Sequence, residues 1–293
     1  MSIRLEMIQV GRLAPKLLGE AANLVEAYLL SRRHDGGGFM NRYGQPDLYY
    51  SVFALDALCC LQSSAPLSGF ESYLEHFGDG ADLDFVHLCC LIRCASVVLG
   101  SQLSRQRLKE RLLAYRSLDG GFHPEQAQAE GTAYGCFLGV AALQDLGVDL
   151  EDFKASICHC LGKLKGSRPA WGNEARVPSP STNATAAAMT TLRQFGEDPG
   201  KDCQEWLLAQ SHPMGGFKAA PMAPIPDLLS TATALHALAG SNALALEGNH
   251  DRCLDFIDSL WTNLGGFHGH WHEDEIDPEY TFYGLLALGH LSD

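Results

Sequence analysis

An aromatic residue set just behind glycine or alanine returns along this chain, and that recurrence limits what it can fold into. The copies are Gly37-Gly38-Phe39, Gly120-Gly121-Phe122, Ala170-Trp171-Gly172, Gly215-Gly216-Phe217 and Gly265-Gly266-Phe267. Each leads through a short polar stretch into a run ending in Ala-Leu or a variant: Ala57-Leu58, Ala142-Leu143, Thr191-Leu192, Ala237-Leu238 and Ala287-Leu288. Successive copies lie about 46 to 50 residues apart, except for one doubled interval between Phe39 and Phe122. A period of this size marks stacked repeats, in which no unit buries its apolar face alone.

Each unit reads as two helices. The first is amphipathic and charged: Asn23 to Arg33, Leu103 to Arg116, Glu151 to Lys165, Asp202 to Gln210 and Arg252 to Trp261. Such a helix keeps one side in water. The second is nearly uncharged and rich in small residues: Leu48 to Leu61, Thr132 to Leu146, Asn183 to Phe195, Leu228 to Leu238 and Tyr280 to Leu291. A helix apolar all round belongs inside. The doubled interval holds a degenerate unit, with an outer helix from Phe70 to Phe77 and an inner one from Phe85 to Leu99. Six helix pairs can close into a ring. The expected fold is therefore all-α: an (α/α)6 toroid with an inner and an outer layer. It is read as one domain over residues 1–293, with repeats from about 18 to 291.

The turns have their own logic. The paired glycines end the outer helix and supply positive φ, after which the aromatic plugs the seam between layers. Asp47, Asp82, Asp227 and Asp277 stand where inner helices begin, the usual place for an N-cap oxygen. The same acids would also stand at the mouth of the ring.

Formal net charge is −14, which argues against nucleic acid or an anionic membrane as partner. No apolar run reaches membrane-spanning length. Met1 to Leu18 carries basic residues but no apolar core of a signal peptide. The ten cysteines fall largely inside apolar runs, as at Cys59-Cys60, Cys89-Cys90 and Cys158 with Cys160. That placement reads as free thiols in a reducing, cytoplasmic setting.

With these residues on view, the chain resembles the prenyltransferase and squalene-cyclase repeat superfamily, above all protein prenyltransferase β subunits of the Rab geranylgeranyltransferase kind. The likeness runs from about Leu18 to Leu291. Arg42-Tyr43-Gly44-Gln45-Pro46-Asp47 is similar to the family's Gly-Arg-Pro…Asp turn. Gly131-Thr132-Ala133-Tyr134-Gly135-Cys136 is similar to its Gly-Gln-Ile-Tyr-Cys segment, and Asp277-Pro278-Glu279-Tyr280-Thr281 to its terminal Asp-Pro-Phe-His-Thr. The resemblance implies an isoprenoid ligand in an aromatic cavity and an α-subunit-like helical partner. It also implies a zinc ion held by Asp, Cys and His, which would make a thiolate nucleophile. The matching positions here are Asp227, Leu229 and Tyr280, so only the aspartate remains. The family's cationic contacts to an isoprenoid diphosphate fall at Ala129, Ala220 and Pro224.

Terpene cyclases of the same superfamily protonate an alkene with the middle Asp of an Asp-x-Asp-Asp-Thr motif. The nearest segment, Asp227-Leu228-Leu229-Ser230-Thr231, again puts Leu229 at the acid position. Asp82-Leu83-Asp84 reads as a helix cap rather than an acid. A complement-type thioester motif, Cys-Gly-Glu-Gln, is absent from the sequence.

Several further residues are candidates. Tyr49, Tyr50, Tyr134, Trp171, Phe217, Phe267, Tyr280, Phe282 and Tyr283 could line a central cavity, or could be ordinary packing between helices. Arg42 and Arg176 are the cations best placed for an anion. Asp47, Asp227 and Asp277 stand at the mouth. His268, His270 and His272 alternate in one segment and could hold zinc or another transition metal, or simply form a polar rim. The expected function is a prenyltransferase-like toroid without the usual zinc site, binding an isoprenoid or related apolar ligand. The alternatives are a scaffold that binds a partner and does no chemistry, and a cyclase-like enzyme lacking the usual acid.

Overall fold

The computed structural model describes residues 1–98, 102–177, 179–239 and 248–292. Six helices form an inner ring: α4 (Leu48–Cys60), α6 (Phe85–Val97), α8 (Ala133–Asp145), α10 (Thr182–Gln194), α12 (Leu228–Ala239) and α14 (Pro278–His290). Each packs on the next, and α14 packs back on α4, so the ring closes. Outside it lie α3 (Ala21–Ser31), α5 (Phe70–Glu75), α7 (Arg105–Leu113), α9 (Glu151–Lys165), α11 (Lys201–Leu208) and α13 (His250–Asp258). These are the six pairs expected from the repeat, the degenerate one included. Leu99, the expected end of α6, lies outside the described residues.

A side chain caps each inner helix. Asp47 accepts from the Tyr49 amide at 2.8 Å, Asp84 from His87 at 2.9 Å and Thr132 from Gly135 at 2.8 Å. Ser181 accepts from Ala184 at 3.3 Å, Asp227 from Ser230 at 2.7 Å and Asp277 from Tyr280 at 2.9 Å. Each satisfies an amide that the helix leaves open. In the degenerate unit α6 begins at Phe85 as expected, and of the Asp82-Leu83-Asp84 segment it is Asp84, next to the first helical residue, that caps it rather than Asp82.

The glycine-aromatic turn is built from the inside out. Phe39, Phe122, Trp171, Phe217 and Phe267 are buried between the layers. The fourth residue of an inner helix ties three of them down: Ser51, Thr185 and Thr231 accept from the amides of Phe39, Trp171 and Phe217 at 2.8, 3.1 and 2.9 Å. Phe39 also opens a short antiparallel pair, β1 (Phe39–Met40) with β2 (Pro46–Asp47), strands the helical pattern did not announce. At Gly215, φ is +96° and an added Cβ would come within 1.8 Å of the Arg252 carbonyl oxygen. Only glycine lets the turn touch the next outer helix there.

Two N-terminal helices were not legible in the repeat: α1 (Ile3–Gly11) and α2 (Pro15–Leu18). Helix α1 packs on α4, α8, α10 and α14 near their C-terminal ends. It approaches closely, since a Cβ on Gly289 would meet the Val10 carbonyl at 2.1 Å. One end of the ring is thus covered by the chain's own first helix. No described helix is long and apolar enough to cross a membrane.

Candidate functional site

The six inner helices run parallel around the ring, with all their N-termini at the same end. They enclose a cavity of about 330 Å³. The same face of every helix lines it. The second residues are Tyr49, Val86, Tyr134, Asn183, Leu229 and Glu279, and these form the mouth. The fifth and sixth positions supply the apolar wall, including Phe53, Phe137, Leu138, Ala187, Phe282 and Tyr283. The ninth positions Arg93, Thr190 and His236 lie near the floor, beside Asp145 and Met7 of α1. Offsets of three, four and seven are the stripe along one side of a helix, which is why six differently composed helices present one lining.

At the mouth, the Tyr49 hydroxyl donates to Glu279 Oε1 at 2.6 Å. Burial pushes the Glu279 carboxyl up to about 7, although the Tyr49 hydrogen bond pulls the other way. Tyr49 in turn packs edge-on against Phe53, with ring centres 5.0 Å apart, and Phe53 lies 5.5 Å from Tyr283. Asn183 accepts from Thr233 at 3.0 Å, and Asn173 from the Tyr134 amide at 3.0 Å. Tyr134 keeps 40% of its surface accessible, yet its hydroxyl titrates high because the surrounding protein desolvates it.

Beside the mouth, Arg42 donates to Asp277 Oδ2 from Nε at 3.0 Å and from Nη2 at 2.8 Å, and to Glu273 at 3.3 Å. Its guanidinium sits 5.4 Å from the centre of the Tyr280 ring. Asp277 still titrates above the usual carboxylate range, because burial outweighs the help of the Tyr280 amide and Arg42.

The floor is a buried network of opposite charges. Asp56 pairs with Arg93 Nη2 and lies 3.7 Å from Arg4 Nη1. Arg4 Nε donates to Asp145 Oδ1 at 3.1 Å. Burial lifts the Asp145 carboxyl to about 6, against the pull of Arg4 and Arg93. Asp145 Oδ2 and Arg93 Nε are buried with no hydrogen-bond partner. Nearby, His236 Nδ1 lies 3.0 Å from His290 Nε2. Burial, with Arg193 close by, holds both rings neutral and brings His290 to about 4.

The structure sorts the candidates. Tyr49, Tyr134, Phe282 and Tyr283 line the cavity. Tyr50 and Tyr280 are half-buried and lie outside the lining. Trp171, Phe217 and Phe267 are not cavity residues; they fill the seam, where Trp171 Nε1 donates to the Leu161 carbonyl at 2.8 Å. Asp47, Asp227 and Asp277 serve as caps. Arg42 is already bound to two carboxylates, which takes it out of use as a ready anion contact. Arg176 is exposed on a loop. His268 Nδ1 faces the Glu275 carbonyl at 3.1 Å, and His270 Nδ1 accepts from the His272 amide at 3.1 Å. Among the described residues, His268, His270 and His272 do not converge, and no three metal-binding side chains do.

The positions that the zinc resemblance singles out do not fit that ion. Ser230 occupies both Asp227 oxygens, through its amide at 2.7 Å and its hydroxyl at 2.8 Å. Leu229 faces the cavity without a lone pair, and Tyr280 lies against Arg42. Residues the repeat did not flag are Glu279, Arg93, Asp145 and Met7. Aligning the six inner helices on their caps and reading the second and ninth residues would have found Glu279 and Arg93. Met7 and the role of Asp145 depend on α1, for which the repeat holds no signal.

The prenyltransferase alpha-alpha toroid domain matches residues 16–77, 69–165 and 183–293. No curated protein matches by sequence. The type II terpene cyclase MstE from Scytonema, in complex with geranylgeranyl dihydroxybenzoate, superposes with a TM-score of 0.62 at 14% identity. The match covers 96% of this chain and 97% of that one. Candida albicans protein geranylgeranyltransferase-I complexed with GGPP gives a TM-score of 0.55 at 14% identity, over 98% of this chain and 82% of that one. At such identity the likeness is one of fold.

Proposed function

The chain belongs to the prenyltransferase alpha-alpha toroid domain family, and from that premise we propose that its central cavity holds a neutral isoprenoid or related apolar chain. The cavity carries this reading. Its 330 Å³ falls within the range of small-molecule sites, and its wall is aromatic and aliphatic from every inner helix. MstE and the geranylgeranyltransferase hold geranylgeranyl ligands in toroids of this fold.

The chemistry of the mouth narrows the ligand. A diphosphate needs cations, whereas this mouth presents Glu279 and a guanidinium already tied to Asp277 and Glu273. A neutral end group suits it better. Transfer chemistry through a zinc thiolate lacks its donors. Cyclisation started by Glu279 is disfavoured too, because a carboxyl titrating near 7 is a weaker acid than an ordinary one. Holding the ligand, without transferring it, fits these residues best.

Ten free thiols support a reducing, cytoplasmic location. The charged outer helices offer a face to an α-subunit-like helical partner. A chain that stays monomeric and captures no helical protein would remove that part of the reading.

Calorimetry with geranylgeraniol and with geranylgeranyl diphosphate tests the ligand class. The alcohol should bind and the diphosphate should bind at least about tenfold more weakly, the size of one lost or repelled charge contact. Ala187→Trp, which fills the wall, should abolish binding. Absence of binding to either compound, or preference for the diphosphate, would sink the proposal.

A further inference from the structure

Among the described residues three tyrosines line the cavity, and one of them, Tyr49, spends its hydroxyl on Glu279 at 2.6 Å. The hydroxyls of Tyr134 and Tyr283 make no hydrogen bond among those residues. Tyr283 is 8% exposed, and its hydroxyl keeps accessible surface, unlike the hydroxyls of Tyr28 and Tyr73, which are unpaired and sealed away. Since Tyr283 lines the cavity, that surface opens into it. Helices α8 and α14 stand on opposite sides of the ring, with two inner helices between them either way round. Tyr134 is the second residue of α8 and Tyr283 the sixth of α14, so the two phenols enter from opposite walls, at the mouth and one turn below it. Both are held in place. Tyr134 stacks on Phe137 with ring centres 6.2 Å apart, and Tyr283 packs on Phe53 and Phe282 at 5.5 and 5.6 Å. Donors set in advance lose little freedom on binding. Burial keeps both hydroxyls protonated beyond the usual phenol range, and Tyr134 and Glu279 add to the shift at Tyr283 as close neighbours.

We propose that Tyr134 and Tyr283 together donate to a carbonyl oxygen carried by the bound apolar chain just below the mouth. The inference rests on the apolar-ligand reading above and adds what the chain must carry. A carbonyl oxygen has two acceptor sites and brings no proton of its own, which matches two phenol donors. A pure hydrocarbon would cover both hydroxyls and leave them unsatisfied, at a cost to binding. A carboxylate or phosphate would place its charge beside Glu279 in a desolvated site. The ligand class is thus a neutral isoprenoid ketone, aldehyde or ester.

The test uses the native chain and Tyr283→Phe. The probes are farnesylacetone, the alcohol made by reducing it, and the hydrocarbon with a methylene in place of its oxygen. Calorimetry on the native chain should find the ketone bound about tenfold more tightly than the hydrocarbon, the net effect of two ordinary hydrogen bonds. The alcohol should bind no more tightly than the ketone. Tyr283→Phe removes a hydroxyl that no group of the protein uses, so the variant should fold and hold the hydrocarbon at least as tightly. The advantage of the ketone should fall about threefold, the share of one bond. The carbonyl infrared band should move to lower frequency on binding the native chain, and less far on binding the variant. Equal binding of ketone and hydrocarbon, or an advantage unchanged in Tyr283→Phe, overturns the carbonyl site and leaves the apolar cavity standing. An alcohol that binds more tightly than the ketone also overturns it, by making the ligand the donor. Failure of all three to bind overturns both readings.

Discussion

Tyr49 and Glu279 stand 230 positions apart in the chain, and a 2.6 Å hydrogen bond between them fastens the first inner helix to the last. Both are second residues of their helices, so the bond lies at the cavity mouth and at the closure of the ring. Tyr49→Phe keeps the ring packing and removes the donor. Stability should fall by about 1 kcal/mol, the usual net worth of one such bond. The Glu279 carboxyl should titrate higher still, because Tyr49 is what holds it down. Urea unfolding and carbon-detected titration of the carboxyl read the two effects. An unmoved titration would show that the bond does not govern Glu279.

Glu279 also gives stability a pH dependence of known sign. Its carboxyl is raised from 4.5 to about 7, so the folded state binds a proton that the unfolded state has released in that window. Stability contributed by the neutral form is therefore lost as pH rises from 4.5 towards 7. Allowing for solvent at this half-buried site, the loss is about 2 kcal/mol. His236 and His290 act with the opposite sign over part of the range, since their folded values are lowered. The difference between native and Glu279→Gln removes their share. That difference should change by about 2 kcal/mol between pH 5 and 8. Parallel stability curves for the two proteins would contradict the assignment.

The repeat made the ring readable because its signals are local. A glycine pair, an aromatic and an N-cap sit within a few residues of each other, and each copy repeats them. Asp47, Asp227 and Asp277 could be read as caps for that reason. The cavity was only half legible. Tyr134 and Tyr283 were found because they are aromatic on inner helices, but Trp171, Phe217 and Phe267 are aromatic too and fill the seam. What separates the two sets is helical register, not residue type. The floor was not legible, because Arg4 reaches Asp145 across 141 positions from a helix outside the repeat.

Gly215 and Gly44 both hold positive φ, at +96° and +76°, and so offer a controlled comparison. An alanine at Gly44 meets nothing within 4 Å. Its cost should be the left-handed backbone alone, about 1 kcal/mol. An alanine at Gly215 would press on the Arg252 carbonyl oxygen and carbon at 1.8 and 2.5 Å. Backbone cannot rotate aside as a side chain does. Gly215→Ala should therefore cost more than about 3 kcal/mol, in the range of severe packing defects. Thermal unfolding of the two variants should differ widely, and similar melting points would remove steric contact as the reason for the repeated glycine.

Arg4 carries the argument that α1 is part of the ring. Its side chain is 11% exposed and bridges Asp56 of α4 and Asp145 of α8. Arg4→Met keeps much of the volume and leaves two buried carboxylates to share Arg93. Removing one partner from a buried charge network commonly costs about 3–5 kcal/mol. The loss should shrink when Asp145→Asn is added, since that removes one of the orphaned charges. With Arg4 gone, the Asp145 carboxyl should titrate above its present value near 6, because Arg4 is the first of the groups that lower it. Urea unfolding of the single and double variants, with carboxyl titration of Arg4→Met, measures each step. A stability loss within about 0.5 kcal/mol, as for an ordinary surface substitution, would mean that α1 rests on the ring without joining it.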